Sequence, residues 1–340
     1  MFVALLVLQA LASVPLADPF AFFQPSLPIT ADDRRQLDRG EAIARVLPGN
    51  GLEVAVFAAV RVDVDGDRLV AWMRRIEELK KSAYVLAIGR FSDPPRIEDL
   101  ARLTLDDQDL SDIRACRPGS CGLKLSAREM MNAQAAASGA EGDWKPAVQQ
   151  AFRHAVLERV QMYLANGQVA AYQDQSEPVW PPRSFLRLLD RSTFLTERLP
   201  RFADHLRQYP PTAAPEIESF MYWSKERLAS RTIVSVTHVS IVRSSDPRLP
   251  DALVAGKGIF TTRYVNASLG LTAILRGAAG ESDYLAYFNR SEVDVLGGVL
   301  GGLVRWFMER RLKAEAAAVL QGLKRRLESG EPPVVARGSA

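Results

Sequence analysis

Histidine and cysteine are scarce in this 340-residue chain, at three and two copies, and that narrows the chemistry open to it. A structural zinc site takes about four Cys or His ligands. His154, His205 and His238 stand far apart from one another and from Cys116 and Cys121, with no ligand-like spacing, so no metal is expected. A P-loop, a dinucleotide-binding glycine fingerprint, an H-E-x-x-H helix and a G-x-S-x-G elbow are also missing. No cofactor is expected, and the enzyme reading loses weight. Nor does one sign of charge dominate: 43 basic residues against 40 acidic ones leave +3, short of the electrostatic footprint of a nucleic-acid binder. No apolar run reaches the ~20 residues of a membrane span. The acidic turns Asp65-Gly-Asp67 and Asp106-Asp-Gln-Asp109 carry too few ligands for a calcium loop and read as helix starts.

What is present begins with a short apolar run, Met1 to Leu8, then Ala10-Leu-Ala12, the small-x-small pattern of a signal-peptidase site. Residues 1–17 are therefore read as a signal peptide. No basic residue precedes Arg34, so a start codon further upstream or an uncleaved anchor stands as the alternative. Export to the periplasm or beyond, with a soluble mature protein, is the expectation. Cys116 and Cys121 bracket Arg-Pro-Gly-Ser, a tight-turn sequence that brings two sulfurs together. In an oxidising compartment that predicts a disulfide, which contributes about 2 kcal/mol for so short a loop.

Residues 18–40, with prolines and then charges, read as an arm. A first ordered part is expected over 41–96. Period-two placement of Val54, Val56, Ala58, Val60, Val62 and Val64 predicts a half-buried strand. Leu69, Met73, Ile76 and Leu79 then recur at helical spacing, and Tyr84 to Ile88 is a second strand. From 97 to 214 the spacing is mostly helical. Ser126 to Glu129 has the form of a capping box, and a longer helix through Val148, Phe152, Val156, Val160 and Tyr163 stops at Asn166-Gly167. His154 falls off its apolar stripe and reads as solvent-facing.

The most regular block is 215–328. Strands are predicted at Glu216–Ser224, Thr232–Arg243, Gly258–Ala267, Leu269–Arg276 and Tyr284–Val295, rich in Val, Ile, Thr, Tyr and Phe and separated by turn residues. With no helices between them they should pair antiparallel. A long helix follows, with Leu300, Val304, Met308, Leu312, Ala316, Val319, Leu323 and Leu327 as its stripe. It needs a partner, and the strands before it are the candidate. Residues 329–340 read as a disordered tail.

Several predicted strand positions carry polar or aromatic side chains where a plain sheet would carry Val or Thr: Tyr222, Trp223, His238, Arg263, Tyr264, Asn266, Tyr284, Tyr287, Asn289 and Arg290. A sheet curled under a helix can leave a cavity lined by such groups. Alternation sends neighbours to opposite faces, so roughly one in three is expected to meet a ligand. His238 is singled out because it alone titrates near neutrality. Gly297-Gly298 and Gly301-Gly302 suggest a close approach or a hinge at the mouth of the helix. The basic cluster at Arg310, Arg311, Lys313, Lys324, Arg325 and Arg326 suits a solvated face with pairs such as Glu309–Lys313 better than a peripheral membrane contact.

Strand, amphipathic helix, further strands and a long closing helix over 53–88 and 215–328 resemble the element order of the START-like, helix-grip superfamily. That resemblance implies an α+β fold in which a curved antiparallel sheet grips the C-terminal helix, with 97–214 as a largely helical central insertion. It also implies an apolar cavity for a lipid or other hydrophobic small molecule, in a superfamily of carriers and of cyclase- or hydrolase-type enzymes. Three functions follow as expectations: an exported binding or transfer protein, an enzyme using the same cavity with His238, a neighbouring carboxylate or a tyrosine for acid–base work, and an envelope interaction protein docking through its helical middle.

Overall fold

The computed structural model describes residues 18–210, 214–228, 231–277, 281–297 and 301–330. Along the chain, helix α1 (Ala31–Asp38) precedes strands β1 (Ile43–Leu47) and β2 (Glu53–Val62), then α2 (Gly66–Met73), α3 (Ile76–Leu79) and β3 (Val85–Arg90). The helical middle holds α4 (Asp107–Ala115), α5 (Ala127–Ser138), α6 (Lys145–Asn166), α7 (Pro181–Asp190), α8 (Thr193–Arg198) and α9 (Pro200–Gln208). Five strands follow, β4 (Glu218–Leu228), β5 (Arg231–Arg243), β6 (Ala252–Thr261), β7 (Val265–Leu275) and β8 (Asp283–Val293), before α10 (Gly301–Ser329).

All eight strands form one curved, unclosed antiparallel sheet in the order β1-β2-β8-β7-β6-β5-β4-β3. The strand block is a meander, so each of its strands pairs with its sequence neighbour. The early strands then add at its two edges: β2 pairs with β8 through Phe57 opposite Phe288, and β3 pairs with β4. The fold class is α+β, with the C-terminal helix on the sheet and helices in the middle of the chain.

Side-chain alternation sorts the core into two faces. On one face Val56, Ala58, Val60 and Val62 of β2 meet Leu69, Met73 and Ile76 from α2 and α3, and Ala316, Leu320 and Leu327 from α10. This is the gripped face. On the other, Phe57 and Ala59 of the same strand meet Phe23, Phe185, Phe194 and Phe202, while Trp223, Val234, Val236 and Phe260 meet Phe152, Val156 and Val160 of α6. This back face is covered largely by helices from the middle of the chain. The 97–214 stretch is therefore the third layer of the molecule, and β2 is buried on both sides where a half-buried strand was expected.

Local signals act as their chemistry predicts. Ser126 accepts from Glu129 N at 3.4 Å while the Glu129 carboxylate accepts from Ser126 N at 2.7 Å, closing the capping box. Gly167 ends α6 with φ of 72°, the left-handed conformation that favours glycine. Cys116 and Cys121 form a disulfide across the Arg117–Ser120 turn.

Other expectations need correction. The 18–40 arm is core: Phe20, Phe22, Phe23 and Leu27 are buried and α1 is capped by Thr30. Four apolar side chains placed against the sheet outweigh the breaking effect of the prolines. Strand β1 was not legible in sequence. The expected strand at 258–267 runs through a real turn, with β6 ending at Thr261 and β7 starting at Val265, so Arg263 and Tyr264 lie between strands. Val319 of the expected α10 stripe is 66% exposed, and Glu309 pairs with Arg305 at 3.6 Å, where Lys313 was expected. Gly297 falls in a short 3-10 turn and Gly301-Gly302 open α10. Gly298 and the expected start of the stripe at Leu300 lie outside the described residues, as do the signal-peptide segment and residues 331–340 of the expected tail.

Candidate functional site

The site is built by what α10 does not cover. The helix runs alongside β2: Arg305 donates to Glu53 O at 2.7 Å at the start of that strand, and the Glu328 carboxylate accepts from Asp63 N at 3.1 Å just past its end. Elsewhere on this face α2 lies against β6 and β7, and α3 against β3. Arg74 reaches Glu218 at 2.7 Å, and Lys80, directly after α3, reaches Glu226 at 2.6 Å. Between these two roofs the middle of the gripped face carries small residues. Thr237, Gly256, Gly258, Gly270, Thr272 and Asn289 are each only half-buried. Their neighbours on the same strands, such as Val236, Ala255, Leu269, Leu271 and Phe288, are at most 1% exposed. The back face of β5 to β8 is sealed, and the gripped face is half-open at these small residues.

The glycines keep the floor low. A Cβ at Gly258 would stand 2.4 Å from Ser268 Oγ, so a larger residue there requires that hydroxyl to turn away.

One wall of the groove is polar. Lys80 Nζ lies 2.6 Å from Glu226 and 3.4 Å from the Tyr222 hydroxyl, with its ammonium 5.3 Å from the Tyr222 ring centre. Ser224 Oγ donates to Glu226 at 2.7 Å and stands 3.1 Å from Ser235 Oγ. Burial pulls the Lys80 ammonium down, but Tyr222 and Glu226 outweigh it and hold Lys80 above its ordinary value. Burial pushes Glu226 up, and Lys80 together with the Ser224 hydrogen bond brings it below the usual carboxylate range. Both groups stay charged. Of the Lys80 side chain 30% and of Glu226 36% remain accessible. Tyr287 comes from β8 toward the same cluster; burial raises its phenol, Lys80 opposes, and Asn289 is its hydrogen-bond partner.

Three of the nine candidate residues therefore converge: Tyr222, Tyr287 and Asn289 on the gripped face. The other six do not reach the groove. Trp223 is sealed on the back face, its Nε1 donating to Asp99 O at 2.9 Å. His238 is sealed there too, with Nδ1 2.9 Å from the Tyr163 hydroxyl and the Tyr209 ring centre 4.2 Å away. Burial, then Lys257 and His205, depress it well below 6.5, so it is neutral. Tyr284 packs on Phe20. Arg263 locks the β6–β7 turn to α4 through Asp109 at 2.6 Å and Asp112 at 2.7 Å, and Tyr264 occupies that turn with φ of 65°. Asn266 accepts from Lys124 Nζ at 2.9 Å and donates to Glu292 at 3.1 Å. Arg290, also singled out, is a back-face partner of Glu53. Two adjoining surface pockets, about 470 and 300 Å³, lie beside the disulfide turn, but charged groups already paired with one another line them.

No family model and no curated protein matches this chain. Among solved structures it is similar to TTHA0849 from Thermus thermophilus at 13% identity and a TM-score of 0.25, over 43% of this chain and 88% of that one. The Zhui aromatase/cyclase from Streptomyces sp. R1128 is 16% identical, with a TM-score of 0.23, over 40% and 87%. The di-domain ARO/CYC BexL is 15% identical, with a TM-score of 0.25, over 54% and 57%. Likeness this distant carries no argument about site or substrate, which rest on the groove alone.

Lys80, Glu226 and the strand glycines escaped the sequence reading. Lys80 belongs to a run of charges that looks like an ordinary solvated helix face. The glycines did leave a signal: Gly256-x-Gly258 and Gly270 interrupt otherwise branched, apolar strands, which marks a bulge or a close approach.

Proposed function

We propose that this protein binds a hydrophobic small molecule in the groove between the sheet and α10, as a carrier or binding protein. One observation carries the reading: on the gripped face of β5 to β8, Thr237, Gly256, Gly258, Gly270, Thr272 and Asn289 are small and half-buried, while their strand neighbours on the back face are closed. Val239, Val254 and Ile274 are buried in the core at one end of this face, and Tyr222, Tyr287, Asn289 and the Lys80–Glu226 pair supply polar contacts at its wall. An apolar body with one or two oxygen functions fits that division. The Cys116–Cys121 disulfide supports an exported location, because such bonds persist in oxidising compartments.

Gly270→Val tests the assignment. Its Cβ falls 3.5 Å from Asn289 Nδ2, an ordinary contact, and the two methyls beyond it fill the floor. Native mass spectrometry of the purified chain is expected to show a bound small molecule, and displacement of an environment-sensitive dye is expected to be lost in the variant while its melting temperature holds. An empty wild-type spectrum together with no dye binding ends the proposal.

An enzyme reading rests on different residues from those expected. Tyr163 places a hydroxyl within reach of His238, but the imidazole is closed to solvent and faces away from the groove. If chemistry occurs here, Lys80, Glu226 and Tyr222 are the polar groups open to a substrate. The envelope-docking reading has less behind it: the helical middle spends its apolar surface on the sheet, and Met131 and Trp180 are its large exposed apolar side chains among the described residues.

A further inference from the structure

Strand register separates the two ends of the gripped face, and α2 covers one of them. At the covered end Leu69, Val70 and Met73 of α2 pack against Ala252 and Ile274. At the other end β3 begins, with Val85 opposite Glu226, and β4 ends, with Leu228 opposite Arg231, while Arg326 of α10 donates to Leu79 O and Lys81 O just before β3. Three large apolar side chains stand exposed on this β3–β4 tip: Tyr84 at 69%, Leu86 at 43% and Leu228 at 44%. They form one tip, because Arg227 N donates to Tyr84 O at 2.8 Å.

The charge around them is mostly positive. Lys81 and Arg227 are exposed there, and neither forms an ion pair among the described residues. Of the nearby carboxylates, Glu226 is taken by Lys80 at 2.6 Å and Glu315 by Arg311 at 2.5 Å, and Glu78 is exposed in the turn before Lys81. Apolar side chains flanked by unneutralised basic ones match the two-part chemistry of an anionic bilayer surface, acyl chains beneath phosphates. Pairing with another strand is disfavoured at this edge, because β3 has a register break between Val85 and Ala87 that interrupts the ladder a second strand would extend.

We propose that the β3–β4 tip docks the protein on an anionic lipid surface, turning this end of the gripped face toward the bilayer. The surface needs no ligand in the groove, so this proposal and the binding function stand or fall separately.

Co-sedimentation of the full chain with phosphatidylcholine vesicles, alone or mixed with phosphatidylglycerol, tests it. Capture by the mixed vesicles, weakening as salt rises, is expected. Tyr84→Ser, Leu86→Ser and Leu228→Ser combined should lower vesicle affinity about tenfold or more, and Lys81→Gln with Arg227→Gln on the order of 25-fold, at about fivefold per charge removed. Thermal melts confirm that each variant is folded. No capture by mixed vesicles, equal capture of the variants, or self-association of the wild type that the triple serine variant abolishes would each overturn the proposal, the last by assigning the tip to a second copy of the chain. Ligand occupancy from native mass spectrometry is scored independently.

Discussion

The two faces of the sheet are built from the same strands to opposite ends. On the back face β5 to β8 present Val236, Leu269, Leu271 and Phe288, all closed under helices, and even their polar residues are sealed: His238 against Tyr163, Lys257 with its ammonium donating to Leu206 O at 2.8 Å. On the gripped face the same strands present threonine, glycine and asparagine to open space. Close packing on one side supplies rigidity, and small residues on the other leave room.

Substitutions should separate the faces by size of effect. Trp223→Ala removes a fully buried ring and its bond to Asp99 O, and should cost about 3–5 kcal/mol in denaturant unfolding; a loss under about 1 kcal/mol would mean that the back face is not the structural one. Next comes Lys257, which burial pushes down to about 8. Its folded value lies below the unfolded one near 10.5, so the folded state gives up this proton first and stability rises with pH between about 8 and 10.5. At neutral pH the buried charge is a liability, and Lys257→Met should stabilise by up to about 3 kcal/mol. His238 works in the same direction at lower pH: its folded value is depressed below 6.5, so stability is lost as pH falls through about 6.5, and His238→Gln should flatten that limb of the curve. The disulfide comes third. Cys116→Ser with Cys121→Ser should cost about 2 kcal/mol, since the closed loop is short. Smallest is Thr272→Val on the groove floor, expected to change stability by less than about 1 kcal/mol while altering ligand retention. If Thr272→Val destabilises as much as the cysteine pair, the groove is packed core and the contrast between faces fails.

Legibility in the sequence followed the range of the interactions. Strands β2 and β5, α6 with its Gly167 stop, the Ser126 box and the cysteine turn were readable because neighbours within a few residues set them. The two-face division was partly readable, as alternation guarantees that Tyr222 and Trp223 part company, but it does not say which side is open. Phe20 to Phe23 looked like an arm because the sheet surface that buries them comes from strands far along the chain, such as Phe57 of β2 and Tyr284 of β8. The β6–β7 turn was misplaced because a run of branched and aromatic residues continues through it. Lys80 was unreadable for a similar reason, since its partner Glu226 is 146 residues distant.

The amino-acid pattern alone determined that an antiparallel strand block ends in a long amphipathic helix that must find a partner, because period-two and helical spacings are local properties of the chain. Tertiary structure decided that the helical middle seals the back of the sheet, that α10 lies along β2 and leaves the centre uncovered, and that Tyr222, Tyr287 and Asn289 meet Lys80 and Glu226 there. Those outcomes depend on which surfaces exclude water together, and no stretch of sequence carries that by itself.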